Sequence, residues 1–285
     1  MDIIKLEIVN KSNIVELEMV EKFNPYHDKL GRFTTADGAT VFTWRTKDSS
    51  KQGLANRAIE REKERTKAMQ PKEKTVKDPD AIAGVKRGEP MSHYRANSGN
   101  VNPGFDDEYP VREYLTNCQS CVVTYEARLR GYDVITLPNT PEHPKLKELA
   151  KATHRAWLDP KTGEEIEQPP RLEGVTTPKA LKKRIIDTVQ PGERYNLQFR
   201  WKDRRSGHIV TIEKHEGGEV YLYDPQIGMN IGLNYLEPYF KKFQYYRVNI
   251  DGSRENLAPR LYRVDNLVIN PKFADGIMET ADNGW

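Results

Sequence analysis

Apolar positions recur at regular spacing in the C-terminal two thirds of this 285-residue chain, and only weakly before it. From Cys118 to Arg130, apolar or weakly polar residues lie three and four positions apart, which predicts a helix. Asn117 stands at its N-cap position and Gly131 follows its last turn. The same kind of pattern predicts further helices at residues 145–157, 178–189 and 233–243.

Short β-rich segments follow the first three helices. They predict strands at residues 195–201, 207–214, 219–223, 245–250 and 262–269, and an earlier one at 132–137. Helices first and an antiparallel sheet afterwards is an α+β arrangement, because a doubly wound parallel sheet requires strands and helices to alternate.

The first third of the chain has a different texture. Residues 2–22 fit a short helix or a strand pair, and residues 54–69 a solvated helix or charged tether without an apolar stripe. Residues 70–104 are rich in proline and glycine, which is typical of a linker or wrapping loop. The predicted organisation is therefore an N-terminal segment at 1–44, a charged helix and linker at 45–104, and a compact domain with a C-terminal tail at 105–285.

Composition and charge exclude several classes of protein. Unbroken apolar runs are far shorter than the roughly 20 residues needed to cross a bilayer, and the N-terminus lacks the features of an export signal. The net charge of +3 arises from residues 45–90, whereas residues 91–285 carry 27 basic and 27 acidic residues. A concentrated positive face is not expected, so the sequence predicts no nucleic-acid binding.

Two cysteines are too few for a disulfide framework in a domain of this size. Their spacing favours a reactive or ligand-binding role and a reducing compartment. Cys118 directly follows the predicted N-cap, where unpaired N–H groups favour a thiolate. Cys121 lies one turn further on the apolar side and is interpreted as a small buried hydrophobe.

A histidine and an aspartate occupy matching places on a predicted hairpin. His208 opens one strand and Asp224 ends the next. A three-residue loop at 216–218, with Gly218 in the left-handed conformation, sets Val210 opposite Asp224 and places His208 and Asp224 on one face as diagonal neighbours. A two-residue loop would separate them.

Three motifs stand in a recognisable order along the chain. They are Asn117-Cys118-Gln119-Ser120-Cys121 running on to Gly131-Tyr132-Asp133-Val134, then Gly207-His208-Ile209-Val210, and then Tyr223-Asp224-Pro225-Gln226-Ile227-Gly228. Over residues 100–250 they resemble the papain-fold toxin family of polymorphic bacterial toxins and of phages and integrated elements, which is similar to papain-like peptidases and glutamine deamidases.

The resemblance implies a papain-like fold, in which a nucleophile helix precedes an antiparallel sheet that carries the histidine and aspartate. It implies Cys118 as the nucleophile, His208 as the base and Asp224 as the group that orients the base. Asn117, Gln119 and Gln226 are then oxyanion or substrate contacts, although none occupies the position, upstream of the cysteine, at which papain has its oxyanion glutamine.

The same resemblance implies a hydrolase that attacks protein carboxamide or peptide bonds through a thioester and needs no cofactor and no metal. Its partners would be a protein substrate and an immunity protein. Deamidation, peptide cleavage and a transglutaminase-like transfer use one chemistry, and the sequence leaves all three open.

A second resemblance concerns residues 24–34, Asn-Pro-Tyr-His-Asp-Lys-Leu-Gly-Arg-Phe-Thr, which are similar to a segment of phage head-morphogenesis proteins. It implies a chain that attaches to the virion through phage head or capsid proteins, or that acts in the bacterial host cytoplasm. The alternative function is a head-associated structural protein that keeps the fold without using the activity.

A metal or dithiol site built on Cys118 and Cys121 is the third alternative. Zinc needs four ligands, and the chain offers only His143, His154 or His215 to complete the set, without recognisable ligand spacing. Thioredoxin-like redox chemistry would require a buried strand before the cysteine pair, and residues 111–116 form a poor strand of that kind.

Overall fold

The computed structural model describes residues 4–10, 13–19, 76–97 and 101–281, and the chain divides into two compact units, 1–73 and 74–285. In the first unit, β1 (Ile4–Asn10) and β2 (Asn13–Met19) pair as an antiparallel hairpin. The strand pair is one of the two structures predicted for residues 2–22. The helix predicted at 54–69 and the segment at 24–34 lie outside the described residues, so virion attachment stays a prediction.

The second unit contains six α-helices and fourteen strands in its described part. The helices are α1 His93–Asn97, α2 Cys118–Leu129, α3 Pro144–Leu149, α4 Pro178–Thr188, α5 Leu233–Phe240 and α6 Pro271–Ala274, with 3-10 turns at Arg112–Tyr114 and Thr153–Ala156. The strands are β3 Ala81–Ile82, β4 Val85–Lys86, β5 Val134–Thr136, β6 Trp157–Leu158, β7 Arg194–Trp201, β8 Gly207–Lys214, β9 Val220–Asp224, β10 Met229–Gly232, β11 Phe243–Gln244, β12 Tyr246–Val248, β13 Arg254–Asn256, β14 Arg260–Arg263, β15 Val268–Ile269 and β16 Met278–Thr280.

The main sheet is antiparallel throughout, with the order β10-β9-β8-β7, and both β11 and β14 pair with the far side of β7. Smaller two-stranded pairs lie around it. Four of the six helices precede most of this sheet in the chain, so the predicted α+β class is confirmed.

The register of the β8–β9 hairpin is the one predicted. Thr211 pairs with Tyr223, and the N–H of His215 donates to the carbonyl of Glu219. Gly218 closes the loop with φ of +91°, a conformation that side chains with a Cβ rarely adopt. Because the side-chain period of a strand is two, this loop decides which residues of β8 and β9 share a face.

Each face of the sheet is covered by helices, and β8 contributes to both cores. On one face, Ile209 packs in a cluster with Val122 of α2. On the other, Val210 and Ile212 pack with apolar residues of α4 and α5, among them Leu181. Thr177 caps α4 as its sequence predicts, with its hydroxyl accepting from the N–H of Ala180 at 3.2 Å.

Two predicted elements differ from the structure. The helix predicted at 145–157 ends at Leu149, because Trp157 is fully buried and pairs with Ile269 as part of β6 and β15. The strand predicted at 262–269 is two strands, since β14 joins β7 and β15 joins β6. Tertiary pairing overrides the local pattern in both places.

Part of the predicted linker at 70–104 is packed structure. Ile82 is 1% exposed in the core beside α2, and Ala96 of α1 is fully buried. Among the tail residues, Phe273, Ile277 and Met278 are also buried. No helix in the described part of the chain is long and apolar enough to cross a membrane.

A buried ion cluster fixes α2 on the sheet. Glu126 is 1% exposed and accepts from Arg130 Nε at 2.9 Å and from Arg194 Nε and Nη2 of β7, both at 2.7 Å. Arg130 donates further to the carbonyls of Val264 and Leu267. Burial raises the pKa of Glu126, but the hydrogen bonds and charges of the two arginines outweigh it, and the pKa lies below the ordinary 4.5.

Replacing the buried carboxylate should cost far more stability than replacing an exposed one. We expect Glu126→Gln to lower the free energy of unfolding by about 3–5 kcal/mol, because Arg194 loses the carboxylate that accepts both of its described side-chain hydrogen bonds and Arg130 is left with Asp78. The matched control is Asp187→Asn, which breaks the exposed i,i+4 pair with Lys183 and should cost about 0.5 kcal/mol or less. Urea unfolding of the full chain measures both values.

The same cluster predicts a pH dependence. A carboxyl whose pKa is lowered by folding stabilises the protein above its unfolded pKa, and this contribution is lost as the pH falls through the folded pKa. The stability difference between the parent and Glu126→Gln should therefore shrink on acidification below the ordinary value of 4.5. A difference that is independent of pH would contradict an ionised Glu126.

Candidate active site

Cys118 is the first residue of α2 and is 6% exposed. The intrahelical hydrogen bonds begin one turn later, where the carbonyl of Asn117 accepts from the N–H groups of Ser120 and Cys121 at 3.0 and 3.1 Å. The N–H groups of Cys118 and Gln119 precede those bonds, so they have no partner within the helix. The thiol therefore lies at the positive end of the helix dipole.

His208 and Asp224 come together through the β8–β9 register. Nε2 of His208 lies 2.6 Å from Oδ2 of Asp224, and both residues are buried. Cys118 lies close enough to His208 to act on its pKa. Since Nε2 is taken by Asp224, the second ring nitrogen, Nδ1, is the one left for the thiol. The three residues that the sequence singled out thus form one array, in which the hydrogen bond between His208 and Asp224 sets the position of the imidazole.

The array holds a positive charge on the imidazole. Burial acts to lower the pKa of His208, but the negative charges of Asp224 and Cys118, and hydrogen bonds to both, outweigh burial and raise that pKa to about 10. A protonated His208 places a positive charge beside the Cys118 sulfur.

Aromatic rings fix the plane of the imidazole. Trp201 at the end of β7 stacks on His208 with 5.6 Å between centroids and 19° between planes. Phe199, the β7 partner of His208 in the sheet, meets the ring edge-on at 5.7 Å. These contacts restrict rotation of His208 and exclude water from one side of it.

Tyr239 of α5 reaches the same site. Burial, together with the charges of Asp224 and Cys118, raises the pKa of its phenol, so Tyr239 keeps its O–H proton beside the array. Sequence analysis missed this residue because α5 follows the hairpin at a distance that no local pattern relates to the cysteine.

Asn117 does not cap α2 with its side chain, although it stands at the N-cap position. Its Nδ2 donates instead to Oδ1 of Asn102 at 2.9 Å and to the carbonyl of Leu137 at 3.3 Å. Its Oδ1 accepts from Nε2 of Gln226 at 3.1 Å. Both amide hydrogens of Asn117 are therefore donated within the protein, and its side chain serves to anchor the start of α2.

Gln226 and Asn102 complete this amide network. Nδ2 of Asn102 donates to the carbonyl of Gln226 at 2.8 Å, and the N–H of Gln226 donates to Oδ1 of Asp224 at 3.3 Å. The network links the start of α2 to the end of β9, and so sets the spacing between Cys118 and Asp224. Asn102 was not predicted, because nothing in the pattern around it distinguishes it from the other polar residues of the linker.

Gln119 lies beside Cys118 and is partly exposed. Cys121 is fully buried, and burial, followed by the charges of Cys118 and Asp224, raises the pKa of its thiol well above 9.0. This agrees with the interpretation of Cys121 as a buried, unreactive residue.

The described side chains do not include further ligands that could complete a metal site on Cys118 and Cys121. Within residues 76–97 and 101–281, no group of three His, Cys, Asp or Glu residues close enough to share an ion includes Cys118 or Cys121. His143 and His154, offered as ligands from the sequence, take no part in such a group, and His215 belongs to a different one.

Part of this chain is similar to a known protein family. Residues 116–229 match a family model described as papain fold toxin 1, glutamine deamidase. A search of curated proteins gives no match. The Pseudomonas avirulence protein AvrPphB is similar at 12% identity over 54% of this chain and 70% of that chain, with a TM-score of 0.25, a score too low to carry a structural argument.

The matched segment runs from just before Cys118 to just after Asp224, and so includes the whole array. The fold is α+β and papain-like, and residues 116–229 are similar to the papain-fold toxins of the glutamine deamidase type.

Proposed function

We propose that this chain is a cysteine hydrolase that deamidates glutamine side chains of a protein substrate. The observation that carries the proposal is the array of Cys118, His208 and Asp224, in which a buried imidazole bridges a helix-terminal thiol and a carboxylate. Similarity of residues 116–229 to a glutamine deamidase family supports deamidation over peptide cleavage. The toxin character of that family supports an immunity protein as a further partner.

The first half of the reaction forms a thioester. The Cys118 thiolate attacks the carboxamide carbon, and the negative charge moves to the carbonyl oxygen. The N–H groups of Cys118 and Gln119 lie where they can donate to that oxygen, and Gln226 Nε2 retains one N–H beyond the bond to Asn117. His208 then gives its proton to the departing nitrogen, and ammonia leaves.

The second half restores the enzyme. Water loses a proton to the now neutral His208 and attacks the thioester carbon, which releases a glutamate side chain and returns Cys118 as the thiolate. Asp224 keeps the imidazole in one orientation through its bond to Nε2 in both halves. The sum of the two steps is a carboxamide and water converted to a carboxylic acid and ammonia, which become a carboxylate and an ammonium ion when the proton passes from one to the other.

Cys118 should react faster with iodoacetamide than an ordinary thiol does at about pH 6, since a free cysteine is mostly protonated there. We expect rapid labelling of Cys118 and none of the buried Cys121, resolved by peptide mass spectrometry of the native protein. His208→Ala should slow the labelling of Cys118 at this pH by about tenfold or more. Labelling that rises only near the free-thiol pKa of about 8.5 would overturn the activated thiolate.

Asp224→Asn should lower the pKa of His208. Without the carboxylate charge, the effect of burial is no longer outweighed, and we expect the pKa to fall from about 10 toward or below its ordinary 6.5. NMR titration of the imidazole measures this pKa directly. An unchanged value would mean that Asp224 does not hold the charge on His208.

Deamidation predicts ammonia without new peptide ends. We expect the protein to release ammonia from a dialysed bacterial lysate, with no gain of new N-termini by mass spectrometry. Cys118→Ala should abolish the release, a loss of about a thousandfold or more, while Cys121→Ala should retain it. New termini that depend on Cys118 would instead identify a peptidase, and the absence of both products would contradict the proposed function.

A further inference from the structure

A second cluster of ionisable side chains lies away from the active site. The residues are His93 of α1, Glu213 of β8 and His215 just after β8, and one ligand atom from each lies within 4.8 Å of the others. His93 Nε2 is 3.0 Å from Glu213 Oε1, and the rings of His93 and His215 stack with 4.7 Å between centroids. The three side chains thus lie side by side, brought together from α1 and from β8 with the residue that follows it.

One carboxyl oxygen of this cluster has no hydrogen-bond partner among the described groups. The side chain of Glu213 is only 4% exposed, and its Oε2 is buried with no hydrogen-bond partner among the described groups. Buried carboxylate oxygens are ordinarily satisfied by a donor or by a cation. The nearby cation, Arg194, donates both of its described side-chain hydrogen bonds to Glu126. The cluster therefore keeps a carboxyl oxygen without a described partner beside two imidazoles.

The outer contacts of both histidines fit a metal site. The hydroxyl of Tyr125 lies 3.2 Å from His93 Nδ1, and that of Tyr223 lies 3.1 Å from His215 Nε2. His93 Nε2 faces Glu213, and the bond of His215 to Tyr223 leaves its Nδ1 as the ring nitrogen that can bind an ion. A metal-bound histidine characteristically donates its other ring N–H to an oxygen, and each tyrosine supplies such an oxygen.

We propose that His93, Glu213 and His215 bind a divalent transition-metal ion, with Zn²⁺ as the best match. Two imidazole nitrogens and one carboxylate oxygen form a known zinc ligand set, in which water occupies the fourth position. Zinc bonds of about 2.0–2.1 Å place neighbouring ligand atoms about 3.3 Å apart, so the most distant pair has to close by about 1.5 Å at most. Because an imidazole binds a metal in its ring plane, the two rings, now stacked with 16° between their planes, also have to turn toward the ion. His93 is 35% exposed, which gives the ion a route of access.

The ion would hold the fold together and take no part in the thiol chemistry. Glu213 follows His208 by five residues on β8, about 17 Å along the strand, and points to the opposite face of the sheet. Tyr125 lies two turns after Cys118 on α2. Bound zinc would tie α1 to the β8–β9 hairpin and, through Tyr125, brace the far end of the nucleophile helix.

Zinc titration of the full chain tests the site. The protein carries Cys118→Ala, because an activated thiolate also binds zinc, and it is stripped with EDTA before calorimetric titration with zinc chloride. We expect saturable binding of one equivalent, and a rise in the thermal unfolding midpoint when zinc is present. Failure of this parent to bind zinc would overturn the proposal.

Single variants assign the ligands. We expect His93→Gln and Glu213→Gln each to weaken zinc binding by at least about tenfold, whereas the control His143→Gln should bind like the parent. Thermal unfolding in EDTA shows whether each variant folds. If one of the two ligand variants does not fold, His215→Gln is measured in its place. Binding that is undiminished in the folded ligand variants would place the ion elsewhere and contradict the site.

Discussion

The geometry of the site depends on the ion pairs that the buried carboxylate of Glu126 forms with Arg130 and Arg194. A charge with 1% exposure is tolerated only where its hydrogen bonds are satisfied, and the partners here come from α2 itself and from β7. The helix can therefore rotate or slide on the sheet only by exposing or unpairing that charge. Because α2 carries Cys118 at its start, the same restriction fixes where the thiol meets His208.

A second tie acts at the other end of the helix. The amides of Asn102, Asn117 and Gln226 form a buried network that joins the start of α2 to the turn after β9. Buried amides of this kind are costly when unsatisfied, so the network favours one spacing of the two elements. The ion pairs of Glu126 in the second half of α2 and the amide hydrogen bonds of Asn117 before its first turn thus position the whole helix. Cys118 lies between these two anchors.

Sequence predicted the features that depend on short separations. The hairpin register followed from a three-residue loop with Gly218, and that register placed His208 beside Asp224. The limits of α2 and α4 followed from apolar spacing and flanking turn residues. These elements are decided by interactions within a few residues, which is the range over which pattern and turn chemistry operate.

What the sequence could not supply depends on pairing across the chain. Trp157 continues a helical pattern in the sequence but lies in a strand, because it pairs with Ile269, more than a hundred positions later. Asn102 and Tyr239 reach the site from a presumed linker and a distant helix, and His93 meets Glu213 only once α1 folds onto the sheet. Each of these positions is ordinary in its local context and acquires a role from its tertiary neighbours.

The amide contact between Asn117 and Gln226 spans 109 residues, and this separation has a consequence during synthesis. A ribosome delivers α2 long before it delivers β8 and β9, so the nascent chain holds the Cys118 thiol for a time without His208. Through that interval the cysteine is an ordinary thiol. Translation that stops before His208 yields a fragment with the nucleophile but without its base, and one that stops between His208 and Asp224 lacks the carboxylate that orients the base.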